Sequence, residues 1–244
     1  MIKIVENSPN LIHVHDTDGV DIKMLNACFI GTGRVEGFSF EMDKIQALFP
    51  DSELDRYKGR FEKAKESIFS RLILFDFLSK YCNINTKLLK IYYTDAGKPY
   101  FEDSHIHFSI AHSGKTALIA VSFSGIIGVD FEHESKKKDY KKLSKRFFHP
   151  EESNFLELSK EEELADLFLK MWIKKEAIVK CLGGTMFSMM SKINTLDNTI
   201  YNVDNQNIDL INFALINAEN NFKNICLASV ANLHQVFVFD YEKF

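Results

Sequence analysis

The chain has 244 residues, room for one large or two small domains, and its 45% hydrophobic and 26% charged residues exclude a disordered polyelectrolyte. Its 30 Lys and Arg against 34 Asp and Glu leave a net charge of −4, which argues against nucleic acid as a partner; an anionic ligand must meet a local cationic patch. The four cysteines, Cys28, Cys82, Cys181 and Cys226, lack metal or redox spacing and read as buried thiols of a reducing compartment.

Residues 1–6 lack the apolar core of a leader, and no run is long enough to span a membrane. A cytoplasmic protein without a membrane partner is expected. His13 and His15 alternate on a strand-like run, but two ligands make a poor metal site, so both read as structural. A cation-dense approach holding Arg56, Lys58 and Arg60 leads into a helix expected over 61–81, with Ile68, Leu72, Phe75 and Leu78 on one face. Short strands are expected at 88–93, 106–110, 117–122 and 126–132, separated by Gly-bearing turns, and they read as an antiparallel sheet. The basic run 136–138 reads as a solvated loop. Helices are expected over 141–147, 151–158 and 161–182, then strands at 199–203, 208–213, 224–228 and 235–239. Helix plus antiparallel sheet twice over is an α+β pattern, with Ser124-Gly125 the natural division into lobes of 1–124 and 125–244.

Within this frame one pair of elements carries chemistry. On the strand 126–132 successive side chains alternate, so Asp130 and Glu132 project from one face while Ile127, Val129 and Phe131 take the other. Two anions so close repel each other unless a cation sits between them, and hard oxygen ligands suit Mg²⁺. Glu176, on the helix expected over 161–182, would add a third carboxylate. That helix has an apolar stripe of Leu164, Leu167, Phe168, Met171, Trp172, Ile178, Val179 and Leu182; Lys175 falls inside it and Glu176 at its margin. Charges on a core-facing stripe are costly unless paired or liganded. The alternative is a lysine stem lying along apolar surface with Glu176 in a rim ion pair.

The runs Gly-Val-Asp-Phe-Glu at 128–132, Arg-Phe-Phe-His-Pro-Glu-Glu at 146–152 and Trp-Ile-Lys-Lys-Glu-Ala at 172–177, in that order, resemble the signatures of surfactin-type 4′-phosphopantetheinyl transferases. Upstream, Gly-Lys-Pro at 97–99 and Phe-Ser-Ile-Ala-His-Ser-Gly at 108–114 look like two further motifs of that family, although Ala111 stands where a Ser is usual. The resemblance implies a pseudo-twofold pair of similar lobes with the active site in the cleft between them. It implies a monomeric enzyme that moves the phosphopantetheine arm of coenzyme A to a serine of an apo acyl or peptidyl carrier protein, releasing adenosine 3′,5′-bisphosphate.

The same resemblance assigns roles. Asp130, Glu132 and Glu176 would hold Mg²⁺, and Lys175 and Lys180 would contact phosphate. Glu152 is the implied general base, with a metal-bound hydroxide, or Glu152 acting through water, equally consistent. His112 matches a position that contacts coenzyme A phosphate, and Lys98 would approach the nucleotide. For the 3′-phosphate Arg71 aligns by distance, with Arg56, Lys58 or Arg60 as helpers. The Met-rich segment 185–190 borders the expected carrier groove, or caps the core. Two other readings remain: an inactive coenzyme A or carrier-binding module, and an unrelated Mg²⁺-dependent nucleotide hydrolase.

Overall fold

A computed structural model describes residues 1–13, 28–36, 38–102, 105–132, 138–202, 208–218 and 222–240. His15 and residues 136–137 of the basic run lie outside the described residues. In chain order the first elements are β1 (Ile2–Glu6), β2 (Asn10–His13), β3 (Cys28–Arg34), α1 (Met42–Leu48), α2 (Asp51–Tyr57) and α3 (Lys65–Lys80). There follow β4 (Ile91–Tyr93), β5 (Pro99–Phe101), β6 (His107–Ser113), β7 (Thr116–Ser122) and β8 (Ile127–Phe131). Helices α4 (Tyr140–Phe147), α5 (Pro150–Leu158), α6 (Glu161–Leu182) and the short α7 (Met186–Met189) come next. The chain closes with β9 (Ile193–Asn194), β10 (Thr199–Ile200), β11 (Leu210–Ala218), β12 (Phe222–Ser229) and β13 (Gln235–Asp240).

The chain forms two units, one of residues 1–9 and 126–234, the other of residues 10–125 and 235–244. Each is a sheet with helices, the α+β class expected from the alternation of elements. The expected halves, 1–124 and 125–244, differ from these units at the termini. β1 leaves the N-terminal half and pairs in parallel with β11, while β13 leaves the C-terminal half and pairs in parallel with both β2 and β3. The sheets are therefore mixed rather than purely antiparallel. Tight turns bring neighbouring strands together in antiparallel fashion, but a strand returning from the far end of the chain is under no such constraint.

In the unit of residues 10–125 and 235–244 the strand order is β2-β13-β3-β7-β6. Its hairpin β6–β7 turns at Gly114, whose φ of +58° is open to glycine and costly to most other residues. Against this sheet lies α3, buried from Ile68 to Leu78 rather than along one stripe. Phe69, Phe75 and Phe77 join Phe29 and Phe239 in its core. The helix starts four residues later than expected, after a 3₁₀ turn at Glu62–Ala64.

In the other unit the order is β8-β12-β11-β1-β10-β9. The long α6 packs on it through Ile173, Ala177, Ile178 and Cys181. Three glutamates, Glu161, Glu162 and Glu163, face the positive end of the α6 dipole, and Gly183 ends the helix in the left-handed conformation at φ +70°. Among the described residues no helix is long and apolar enough to cross a membrane.

Candidate active site

The carboxylate strand and the charged helix meet because of one missing side chain. A Cβ on Gly128 would overlap the carbonyl oxygen of Ala177 and the amide nitrogen and Cα of Cys181. The backbone of α6 therefore rests directly on β8. Glu176 and Lys180, which flank Ala177 on the helix, come against Asp130, two residues along the strand. Lys180 Nζ donates to Asp130 Oδ1 at 2.6 Å. Asp130 Oδ2 is buried and has no hydrogen-bond partner.

The electrostatics of this cluster are unfavourable as it stands. Burial pushes the Asp130 carboxyl up, against the pull of Lys180. Burial first, and then the neighbouring Asp130, push Glu176 up to about 8, and Glu132 adds to the repulsion. Among the described residues no group of three His, Cys, Asp or Glu side chains is arranged to hold a metal ion. The donor set nevertheless fits a hard divalent cation: three repelling carboxylates, one with a buried oxygen that lacks a donor, beside a strand edge. Lys180 is about one-third exposed, so its ammonium can also meet an anionic ligand.

Glu152 and Lys175 lie elsewhere in the same unit, with no exposed side-chain surface. They bond to each other inside the fold. The backbone of His149 and both the backbone and hydroxyl of Thr195 donate to Glu152 as well. Burial pushes Lys175 down to about 8, against the pull of Glu152. The sequence offered no sign of Thr195, since α5 and the strand after α7 are far apart along the chain.

The cations expected around a nucleotide all lie in the other unit. Arg71 is buried and donates to Glu53 Oε2 at 3.2 Å and to the Tyr93 hydroxyl at 3.3 Å. Arg56 approaches the same carboxylate at 3.8 Å and lies over the Tyr93 ring. Glu53 was not singled out from the sequence; it sits on α2, an element the periodicity did not disclose. Arg60 is exposed and bonds to the Arg56 carbonyl. Lys58 is exposed at the edge of a cavity of about 430 Å³ whose walls include Met42, Ile45, Leu54, Tyr57 and Ile68. His112 is exposed at the end of β6, and Lys98 follows the Gly97 turn, close enough to His107 to help hold that imidazole's pKa down after burial.

A sequence model described as the 4′-phosphopantetheinyl transferase superfamily matches residues 126–227, and one described as 4′-phosphopantetheinyl transferase, N-terminal, matches residues 34–124. The chain belongs to the 4′-phosphopantetheinyl transferase superfamily. Its relatives carry the same name. A Synechocystis sp. protein, provisionally named a 4′-phosphopantetheinyl transferase, is 35% identical over 144 residues, covering 57% of this chain and 58% of the relative. The 4′-phosphopantetheinyl transferase HetI of Nostoc sp. is 31% identical, covering 59% and 63%. The 4′-phosphopantetheinyl transferase gsp of Aneurinibacillus migulanus is 29% identical, covering 60% and 63%. The chain thus spans about three-fifths of the length of these curated phosphopantetheinyl transferases.

Proposed function

We propose that this chain transfers the phosphopantetheine arm of coenzyme A to a serine of an apo acyl or peptidyl carrier protein and releases adenosine 3′,5′-bisphosphate. The observation that carries this reading is the meeting of Asp130, Glu176 and Lys180 across β8 and α6 in a chain of this superfamily. Asp130, Glu132 and Glu176 would hold Mg²⁺, which when bound neutralises pyrophosphate charge. Lys180 supplies a cation for the phosphate that leaves, and its ion pair with Asp130 keeps the ammonium aimed at the site. His112, Lys98, Lys58 and Arg60 are exposed or half-exposed donors suited to the nucleotide's phosphates.

The carrier would dock beside α7. Phe187 is 77% exposed, its ring stands 5.8 Å from that of Phe147, and the Arg146 guanidinium lies over both rings. Met189 and Met190 turn into the core instead. An exposed aromatic flanked by a cation suits an acidic partner with an apolar patch.

The test is intact-protein mass spectrometry of apo carrier proteins incubated with the chain, coenzyme A and Mg²⁺. The expected result is one phosphopantetheine added per carrier. Free phosphopantetheine without loaded carrier would overturn transfer in favour of hydrolysis, and no product at all would leave a binding module. Phe187→Asp should raise the carrier KM by about ten- to a hundredfold while coenzyme A affinity and melting temperature stay put. A parallel loss of melting temperature would make this segment core.

A further inference from the structure

The Glu152–Lys175 pair is chemically complete. A carboxylate offers about four lone-pair positions. Four donors fill them: the His149 amide at 3.1 Å and the Lys175 ammonium on Oε2, the Thr195 amide at 2.7 Å and the Thr195 hydroxyl at 2.6 Å on Oε1. Lys175 is equally engaged, donating to Glu152 and to the Ile193 carbonyl, with its ammonium 4.9 Å over the Phe148 ring. A general base needs a free lone pair within reach of the proton it removes, and a phosphate ligand needs a reachable ammonium. Neither side chain has exposed surface.

The pair joins three pieces of backbone: the first turn of α5, the middle of α6, and the chain around β9. Lys175 is the residue before Glu176 and lies five before Lys180. Fixing its ammonium at two backbone-anchored points fixes the rotation of α6 about its axis, and with it the direction in which Glu176 and Lys180 project. Burying such a pair costs desolvation that packed apolar residues would avoid, so its presence needs a use other than stability.

We propose that Glu152 and Lys175 are positioning residues, a buried lock that sets the rotation of α6 for the reaction, and that neither touches substrate. This rests on the transferase reading above. The decisive comparison is Glu152→Gln, Lys175→Met and the double variant Glu152→Gln/Lys175→Met in the full chain, assayed with coenzyme A, Mg²⁺ and an apo carrier. Each single change strands a buried partner. It should lower kcat about tenfold well below the melting temperature and leave the carrier KM unchanged. The double variant, which leaves no stranded charge, should recover kcat to within about fivefold of the wild type. A double variant as slow as Glu152→Gln would overturn the lock in favour of a base. Full kcat in all three with only melting temperature lowered would reduce the pair to plain structure.

Thr195→Val keeps the shape and removes only the hydroxyl from Glu152, so it decides the matter even if the charge variants fail to fold. A lock leaves the acid limb of the pH–rate profile in place; a base losing that donor would move the limb to higher pH. If the wild type loads no carrier, the transferase reading falls. The melting-temperature cycle between positions 152 and 175 then still tests the lock, and simple additivity would overturn it.

Discussion

Asp130 holds its charge in an expensive place. Its burial outweighs the attraction of Lys180, one oxygen lacks a donor, and its charge helps burial hold the neighbouring Glu176 carboxyl up at about 8, so that Glu176 is mostly protonated at neutral pH. Asp130→Asn should therefore melt higher than the wild type at neutral pH without metal, because the amide removes a buried charge whose desolvation outweighs its pairing with Lys180. Mg²⁺ should reverse the order, stabilising the wild type alone, and transfer by the variant should fall roughly a hundredfold. A variant that still gains stability from Mg²⁺ would place the ion elsewhere. Arg71 sets the opposite case, a cation whose partner is built in. Removing it leaves Glu53, only 3% exposed, with the Tyr93 hydroxyl at 3.4 Å and Arg56 at 3.8 Å as its remaining partners. Arg71→Ala should cost about 3 kcal/mol of stability. It should weaken coenzyme A and 3′-dephospho-coenzyme A equally, as calorimetry can measure. A loss confined to coenzyme A would return Arg71 to the 3′-phosphate.

Long elements with a strong period were legible in the chain, and short ones were not. The helix expected over 161–182 is α6 with both ends in place, since three glutamates and Gly183 mark its termini. Helices α1 and α2 have seven residues each and no side-chain cap, so nothing in the sequence marked them. Strand alternation set Asp130 apart from Val129 and Phe131, whereas Glu132 falls one residue past the end of β8, and the charged run on α6 stood out against its apolar stripe. How the two elements touch was hidden, because a contact between backbone and backbone leaves no trace except a glycine. Gly128 is that trace. Gly128→Ala would drive a methyl group into the α6 backbone, which cannot yield as a flexible side chain could. The expected cost is at least about 3 kcal/mol, with transfer lost in the folded fraction because Glu176 and Lys180 move away from Asp130. Near-normal turnover in Gly128→Ala would show that the spacing of β8 and α6 is not critical.

At the scale of the whole chain the two units exchange their end strands. β1 lies between β11 and β10, and β13 lies between β2 and β3, so each terminus fills an interior position of a sheet belonging mainly to the other half of the sequence. A cut at Ser124-Gly125, where composition suggests a boundary, removes both. Fragment 1–124 would lose β13, and with it the Phe237 ring stacked on Phe29 and the Phe239 ring packed on Phe77 and Tyr81. Fragment 125–244 would lose Ile2 and Ile4, both buried. An interior strand supplies two ladders of hydrogen bonds as well as apolar area, and its loss leaves two unpaired edges. Neither fragment should therefore show a cooperative thermal transition by circular dichroism. Mixing the two should restore one, since each carries the strand the other lacks. Joining residues 10–125 to 235–240 through a flexible Gly/Ser linker should yield a unit that melts cooperatively alone. A cooperative melt from 125–244 by itself, at wild-type temperature, would mean that β1 is a dispensable addition to that sheet.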